Sequence, residues 1–274
     1  MVDLTGWSLI IFMPNPEIKG HLKPREATVM KFETPEWHDR LPSTNSVLLD
    51  RIREGENLPS GFVLAAREQT EGRGRYDRTW VSQAGQDLTF SALICADTAL
   101  SKLVSLPMAV ALAVVDVLDG YGISAKTKWP NDVLVNGAKI CGLLAEHSNE
   151  KHLGGKPIVL GMGLNVNMEA VGIAMIGRAA TSIRMETGKE HDVEEVLTKV
   201  LAELSKWLEV WEKEGFAGFR KTWTEKCCFV GEEVSVGEGA TLKTGVLVGF
   251  GDQGQLLLQV ESGEVEEVWA GDVV

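Results

Sequence analysis

The stretch Leu103 to Leu118 constrains the fold more than any other, because it recurs at helical spacing and is apolar on nearly every side. A helix without a polar face must be covered all round, so the rest of the chain has to wrap it. Around it lie apolar runs that read as strands: Phe62 to Ala66, Leu88 to Ile94, Ile123 to Lys128, Val133 to Val135, and Ile140 to Leu144. Ile158 to Val166 is an unbroken apolar and glycine run, predicted to be a central strand. A helix is predicted from Ser43 to Glu54, opened by the capping series Ser43-Thr44-Asn45. Another starts at Asp192, where Glu195 completes a capping-box pattern ahead of the face Val196, Val200, Leu204, Leu208, Trp211. From Val230 the texture changes to short strands at Glu233–Val236, Leu242–Phe250, Gln255–Val260 and Glu264–Trp269, parted by Gly237, Gly239, Gly251, Gly254 and Gly263. The expected class is α+β: a mixed or antiparallel sheet packed with helices over residues 37–227, then a small β-barrel over 228–274. Residues 1–36, broken by Pro14, Pro16, Pro24 and Pro35, are expected to be irregular and to hold no helix-turn-helix.

The chain has 274 residues, 44% apolar and 24% charged, enough to bury a sizeable core. No apolar run reaches the roughly 18 residues needed to cross a bilayer. Trp7 to Met13 is hydrophobic, but Asp3 precedes it and Pro14 and Pro16 follow, unlike a signal peptide. A cytoplasmic location is expected, with no membrane partner. The net charge of −12 disfavours nucleic acid, so an anionic ligand must be met by a local basic cluster. Cys95, Cys141, Cys227 and Cys228 form no C-x-x-C pair and are expected to be free thiols.

Such a basic cluster is available. In Gly72-Arg73-Gly74-Arg75-Tyr76-Asp77-Arg78-Thr79-Trp80, glycines allow tight turns while guanidinium groups converge on one anion. The segment is neither a Walker loop nor a Rossmann fingerprint, and a basic surface loop is the plain alternative. Lys128 precedes the turn Trp129-Pro130-Asn131-Asp132, where an ammonium suits an oxygen that gains charge in a transition state. Lys139, ahead of Gly142-Leu143-Leu144, offers another cation on a neighbouring strand. Gly161-Met162-Gly163-Leu164-Asn165-Val166-Asn167 admits close approach by a ligand and supplies amides. The histidines have no metal-ligand spacing, and no G-x-S-x-G elbow or Cys-His signature occurs. Converging cations without an acid, base or nucleophile suit adenylation, in which a substrate carboxylate attacks the α-phosphate itself.

In order along residues 40 to 170, and again at Gly271-Asp272-Val273, these segments together resemble the biotin protein ligases. The resemblance implies a synthetase-like catalytic domain with an SH3-like C-terminal barrel. It also implies a two-step reaction, in which biotin and ATP with Mg²⁺ give biotinyl-5′-AMP and the biotinyl group passes to a lysine of a biotin carboxyl carrier domain. By resemblance, Ser43, Thr44, Asn45, Gln69, Arg73, Gly74, Arg75, Lys128 and Gly142 line the biotin site. Arg73, Arg75, Trp80, Lys128, Asn131, Lys139 and Asn165 fall on the nucleotide side; Lys128, Arg73 and Arg75 carry catalysis, and no protein-bound metal is implied. After Trp80 the family usually has a Ser-Pro step and an Asn, whereas here Ser82 is followed by Gln83 and Ala84, with Asp87 near the expected Asn. The DNA-binding domain of some members has no counterpart, so a monofunctional ligase is expected, as monomer or homodimer. The alternatives are a lipoate or octanoate ligase of related fold and a non-catalytic biotin-binding sensor.

Overall fold

The computed structural model describes residues 30–274, apart from 77, 97–99, 151, 153–154 and 238–240. Its centre is a seven-stranded sheet. The strands are β1 (Glu36–His38), β2 (Val63–Ala66), β3 (Leu88–Ala96), β4 (Lys126–Lys128), β5 (Asp132–Val135), β6 (Ala138–His147) and β7 (Lys156–Leu164). Their order is β1-β2-β3-β7-β6-β5-β4, antiparallel except for the parallel β1–β2 pair. The sheet is therefore mixed, and β7 is its middle strand, as its unbroken apolar run predicted.

Strand alternation sorts the side chains into two layers. On β7, Ile158, Leu160, Met162 and Leu164 face the larger core, which contains α2 (Leu106–Gly120) and most of the apolar face of α5 (Val193–Glu214). Val159 faces the other way, with Leu64 and Leu93, against Leu48, Leu49 and Ile52 of α1 (Thr44–Arg53). Gly161 and Gly163 share the Val159 side by the same alternation, and this is the side on which the site is built.

The helical stretch Lys102–Gly120, counting the 3₁₀ turn Leu100–Ser105, is 19 residues long and apolar enough by composition to cross a membrane. That corrects the expectation that no segment is. Here it is the core helix between sheet and α5, mostly buried. Asp192 caps α5 by accepting from the Glu194 and Glu195 amides at 2.8 and 3.1 Å. The reciprocal half of the capping box is replaced, because the Glu195 carboxylate pairs with Lys199 at 2.8 Å. Ser43 stands at the N-cap of α1 with no side-chain cap bond, which leaves its hydroxyl to the site.

Sequence reading missed β1, α3 (Ala170–Met175), α4 (Ile183–Thr187) and α6 (Arg220–Lys226). Residues 1–29 of the expected irregular extension lie outside the described residues, whereas Glu36 joins the sheet and the Glu33 amide donates to the Gly61 carbonyl at 2.9 Å. Beyond α6, β8 (Glu233–Val236), β9 (Lys243–Phe250), β10 (Leu256–Gln259) and β11 (Val265–Val268) form a separate antiparallel sheet in the order β11-β10-β9-β8. A single bridge, Val236 to Val273, brings the chain end back to β8. The Trp129 indole joins the two parts by donating to the Gly254 carbonyl at 3.0 Å. All four cysteines are free.

Candidate active site

The cavity floor is made of backbone. Gly161 pairs with Leu144 across β6–β7, and Gly163 pairs with Gly142. A Cβ on Gly161 would lie 2.2 Å from Asn45 Oδ1, and one on Gly163 only 2.1 Å from Trp80 Cε2. Only glycine lets these side chains lie flat on the strand, and this is why the alternating glycines occur where they do.

Over the Gly161 end sits a polar network. Gln69 Oε1 accepts from the Thr44 amide at 2.8 Å and from its hydroxyl at 3.1 Å. Ser91 donates to Thr44 Oγ1 at 2.7 Å or Asn45 Oδ1 at 2.5 Å, and Asn45 Nδ2 donates to Glu146 at 2.9 Å. Ser43, Thr44 and Asn45 are buried, so these groups are fixed in place to offer hydrogen bonds to an uncharged polar ligand head.

Over the Gly163 end sit Trp80, Lys139 and the arginine loop. Residues 72–80 turn back on themselves through Trp80 N to Gly72 O (2.9 Å) and Gly74 N to Arg78 O (2.7 Å), with Tyr76 left-handed at φ 53°. Arg75, largely buried, donates to Asn131 Oδ1 at 3.2 Å, Gly271 O at 3.3 Å and Asp272 Oδ1 at 2.9 Å. Arg78 pairs with the same Asp272. Arg73 points the other way along the cavity and grips Glu146 through both nitrogens, at 2.9 and 3.2 Å. Lys139 pairs with Asp132 at 2.5 Å, and its ammonium lies 5.7 Å from the Trp80 ring centroid. The buried Trp80 indole N–H has no acceptor among the described residues, so a ligand acceptor fits it.

Ser43, Thr44, Asn45, Gln69, Arg73, Gly74, Arg75, Trp80, Asn131, Lys139 and Gly142 all line this one cavity. Two expected residues do not. The Lys128 ammonium lies 5.9 Å from the Phe229 ring centroid and is not among the residues on the cavity wall. Strand pairing nevertheless puts Lys128 on the site side of the sheet, in one cross-strand row with Asp132, Gly142 and Gly163, while a register shift between Val133 and Leu134 brings Lys139 on β6 to the same side. Asn165 is buried behind the wall, its Nδ2 donating to Thr181 O at 2.9 Å and Lys139 O at 3.5 Å, while its buried Oδ1 has no partner among the described residues.

Several groups were given no site role by the sequence reading. Asp132, Arg178 and Asp272 line the cavity, and Glu146 and Ser91 tie its walls together. Asp87 accepts from the Gln83 amide at 2.8 Å and the Val166 amide at 3.0 Å, clamping the segment after Trp80 to the end of β7. Burial pushes its carboxyl up to about 6, against those backbone donors that favour the ionised form. Among the described residues no group of three potential metal ligands occurs. Asp132 and Asp272 are the carboxylates on the cavity wall, so a magnesium ion would fit there only as one held largely by a ligand's own phosphates.

An amide-lined end and a cation-lined end on one glycine floor define a domain that holds a small polar molecule beside an anionic one. The profile of the Biotin/lipoate A/B protein ligase family matches residues 37–165. The chain is 31% identical over 228 residues to the biotin–[acetyl-CoA-carboxylase] ligase of Paracoccus denitrificans, covering 81% of this chain and 94% of that protein. It is 29% identical over 239 residues to the bifunctional ligase/repressor BirA of Bacillus subtilis, covering 86% and 72%. The biotin protein ligase from Aquifex aeolicus in complex with biotin and ATP superposes with a TM-score of 0.74 at 32% identity, over 89% of this chain and 98% of that one. The chain belongs to the biotin/lipoate A/B protein ligase family.

Proposed function

We propose that the protein is an ATP-dependent biotin protein ligase, which forms biotinyl-5′-AMP and transfers the biotinyl group to a lysine of a biotin carboxyl carrier domain. The observation that carries this is the single cavity in which the amides and hydroxyl of buried Thr44 and Asn45 and half-buried Gln69 share one floor with paired cations (Arg73, Arg75, Lys139). In the first step a biotin carboxylate oxygen attacks the α-phosphorus and pyrophosphate leaves. In the second, the acceptor amine attacks the acyl carbonyl and AMP leaves. Neither step asks the protein for a nucleophile. It must orient the reactants, exclude water and meet the charge that builds on the phosphoryl oxygens. Lys139 and Arg75 on the wall are groups for that charge, with Lys128 on the same sheet face in the row of Asp132 and Gly142. Magnesium, arriving with ATP, would neutralise phosphate charge.

Each cation starts paired with a carboxylate: Arg73 with Glu146, Arg75 with Asp272, Lys139 with Asp132. Nucleotide binding therefore exchanges carboxylate for phosphate, which keeps the cations ordered beforehand. The division into a catalytic domain over 37–227 and a C-terminal module over 228–274 is part of the proposal, with Asp272 as the module's contribution to the site. A reducing, cytoplasmic location fits the four free thiols. The test is incubation with MgATP, a carrier domain and biotin, lipoate or octanoate in turn, read by mass. Addition of a biotinyl group alone supports the proposal; addition only of lipoyl or octanoyl rejects it for the acyl-ligase alternative, and no addition with any acid rejects it outright.

A further inference from the structure

Five cations line the cavity: Arg73, Arg75, Arg78, Lys139 and Arg178. The first four are held by Glu146, Asp272 and Asp132. Arg178 is exposed and, among the described residues, has no carboxylate partner. Its position is nonetheless fixed by the backbone around it. The Lys139 amide donates to Ala179 O at 3.0 Å, the Thr181 amide donates to Lys139 O at 2.9 Å, and Ala180 bridges Lys139 in parallel register. Asn165 then holds Thr181 O from behind at 2.9 Å. Residues 179–181 are thus laid along the start of β6, and Arg178 stands beside Lys139.

The strand register gives the direction. Leu144 and Gly161 lie at the Asn45 end, Gly142 and Gly163 come one step along under Trp80, and Lys139 with Ala180 comes after that. Each two-residue step is about 7 Å, so Arg178 is at the end farthest from the amide network. Resting on the proposed use of ATP, we infer that Arg178 is the residue that first captures the nucleotide, by binding the β- and γ-phosphates of its triphosphate tail. An unpaired guanidinium at the cavity mouth can take a phosphate without first losing a carboxylate, unlike the other four. Arg178 contributes to binding the triphosphate and makes no contact with the α-phosphorus, the biotin head or the adenylate.

The experiment measures equilibrium binding of ATP and of AMP to the full chain and to Arg178→Ala and Arg178→Lys. We expect Arg178→Ala to weaken ATP about tenfold with AMP changed less than twofold, and Arg178→Lys to recover part of the loss. Equal weakening of ATP and AMP, or none of either, overturns the inference. Pyrophosphate exchange by the unaltered chain tests the ligase assignment separately, so the failure of one is not mistaken for the failure of the other.

Discussion

Gly163 is where the site can be disturbed with the least disturbance to the fold. In Gly163→Ala the new methyl would lie 2.1 Å from Trp80 Cε2 and 2.5 Å from both Cζ2 and Nε1. Ordinary contact begins at 3.4 Å, so the indole must retreat by about 1.3 Å or swing away. Overpacking in a closed core costs about 1–3 kcal/mol, and a half-buried ring that can move toward solvent belongs at the lower end. A loss of ~1 kcal/mol lowers the melting temperature by about 2–4 °C and leaves a domain of ordinary stability folded at 25 °C. Yet a displacement of ~1 Å in a positioning group can cost on the order of a hundredfold in rate. We expect kcat/KM for ATP to fall about a hundredfold while urea denaturation shows a small change. Adding Trp80→Ala should abolish most of the stability cost of Gly163→Ala, because the three atoms nearest the new methyl all belong to that ring. Activity of Gly163→Ala within threefold of the unaltered chain would refute the idea that Trp80 works from its seat on the β7 floor.

The other expectations follow from charges and partners. Lys128→Ala and Lys139→Ala should each reduce adenylate formation by more than about tenfold; a smaller loss for either in single-turnover assays would remove that lysine from the role. Arg75→Ala removes a guanidinium that ties the loop to Asn131, Gly271 and Asp272, so the acyl adenylate should escape and label bystander proteins; unchanged labelling of a bystander mixture would count against it. Asp87 has its folded-state pKa raised to about 6, above the ordinary 3.8, so its contribution to stability is present below ~3.8 and is lost as pH rises through 6. The stability of the unaltered chain minus that of Asp87→Asn should therefore fall between pH 4 and 7, by roughly 3 kcal/mol at most; a flat difference in urea unfolding would contradict it.

The elements buried on both faces were legible in the sequence. The middle strand β7 and the core helix α2 stood out because continuous apolar runs of their lengths have no other use. The edge strand β1 did not: three half-buried residues in parallel pairing leave no pattern to read. The short helices α3 and α4 are similarly too brief for periodicity. At the site, the Gly-Arg loop and the Gly-x-Gly floor could be read because the backbone constraint lies in adjacent residues. The carboxylate partners could not, since Glu146 and Asp272 reach Arg73 and Arg75 from 73 and 197 residues away. The arrival of Lys139 on the site side likewise depends on a register shift between β5 and β6 that no local pattern announces.

Biotin-dependent exchange of labelled pyrophosphate into ATP asks whether the amide end and the cation end of this cavity hold two reactants at one phosphorus. We expect rapid exchange that requires biotin and is lost in Lys139→Ala. Exchange that proceeds without biotin, or its absence from a chain that binds both biotin and ATP, would contradict it.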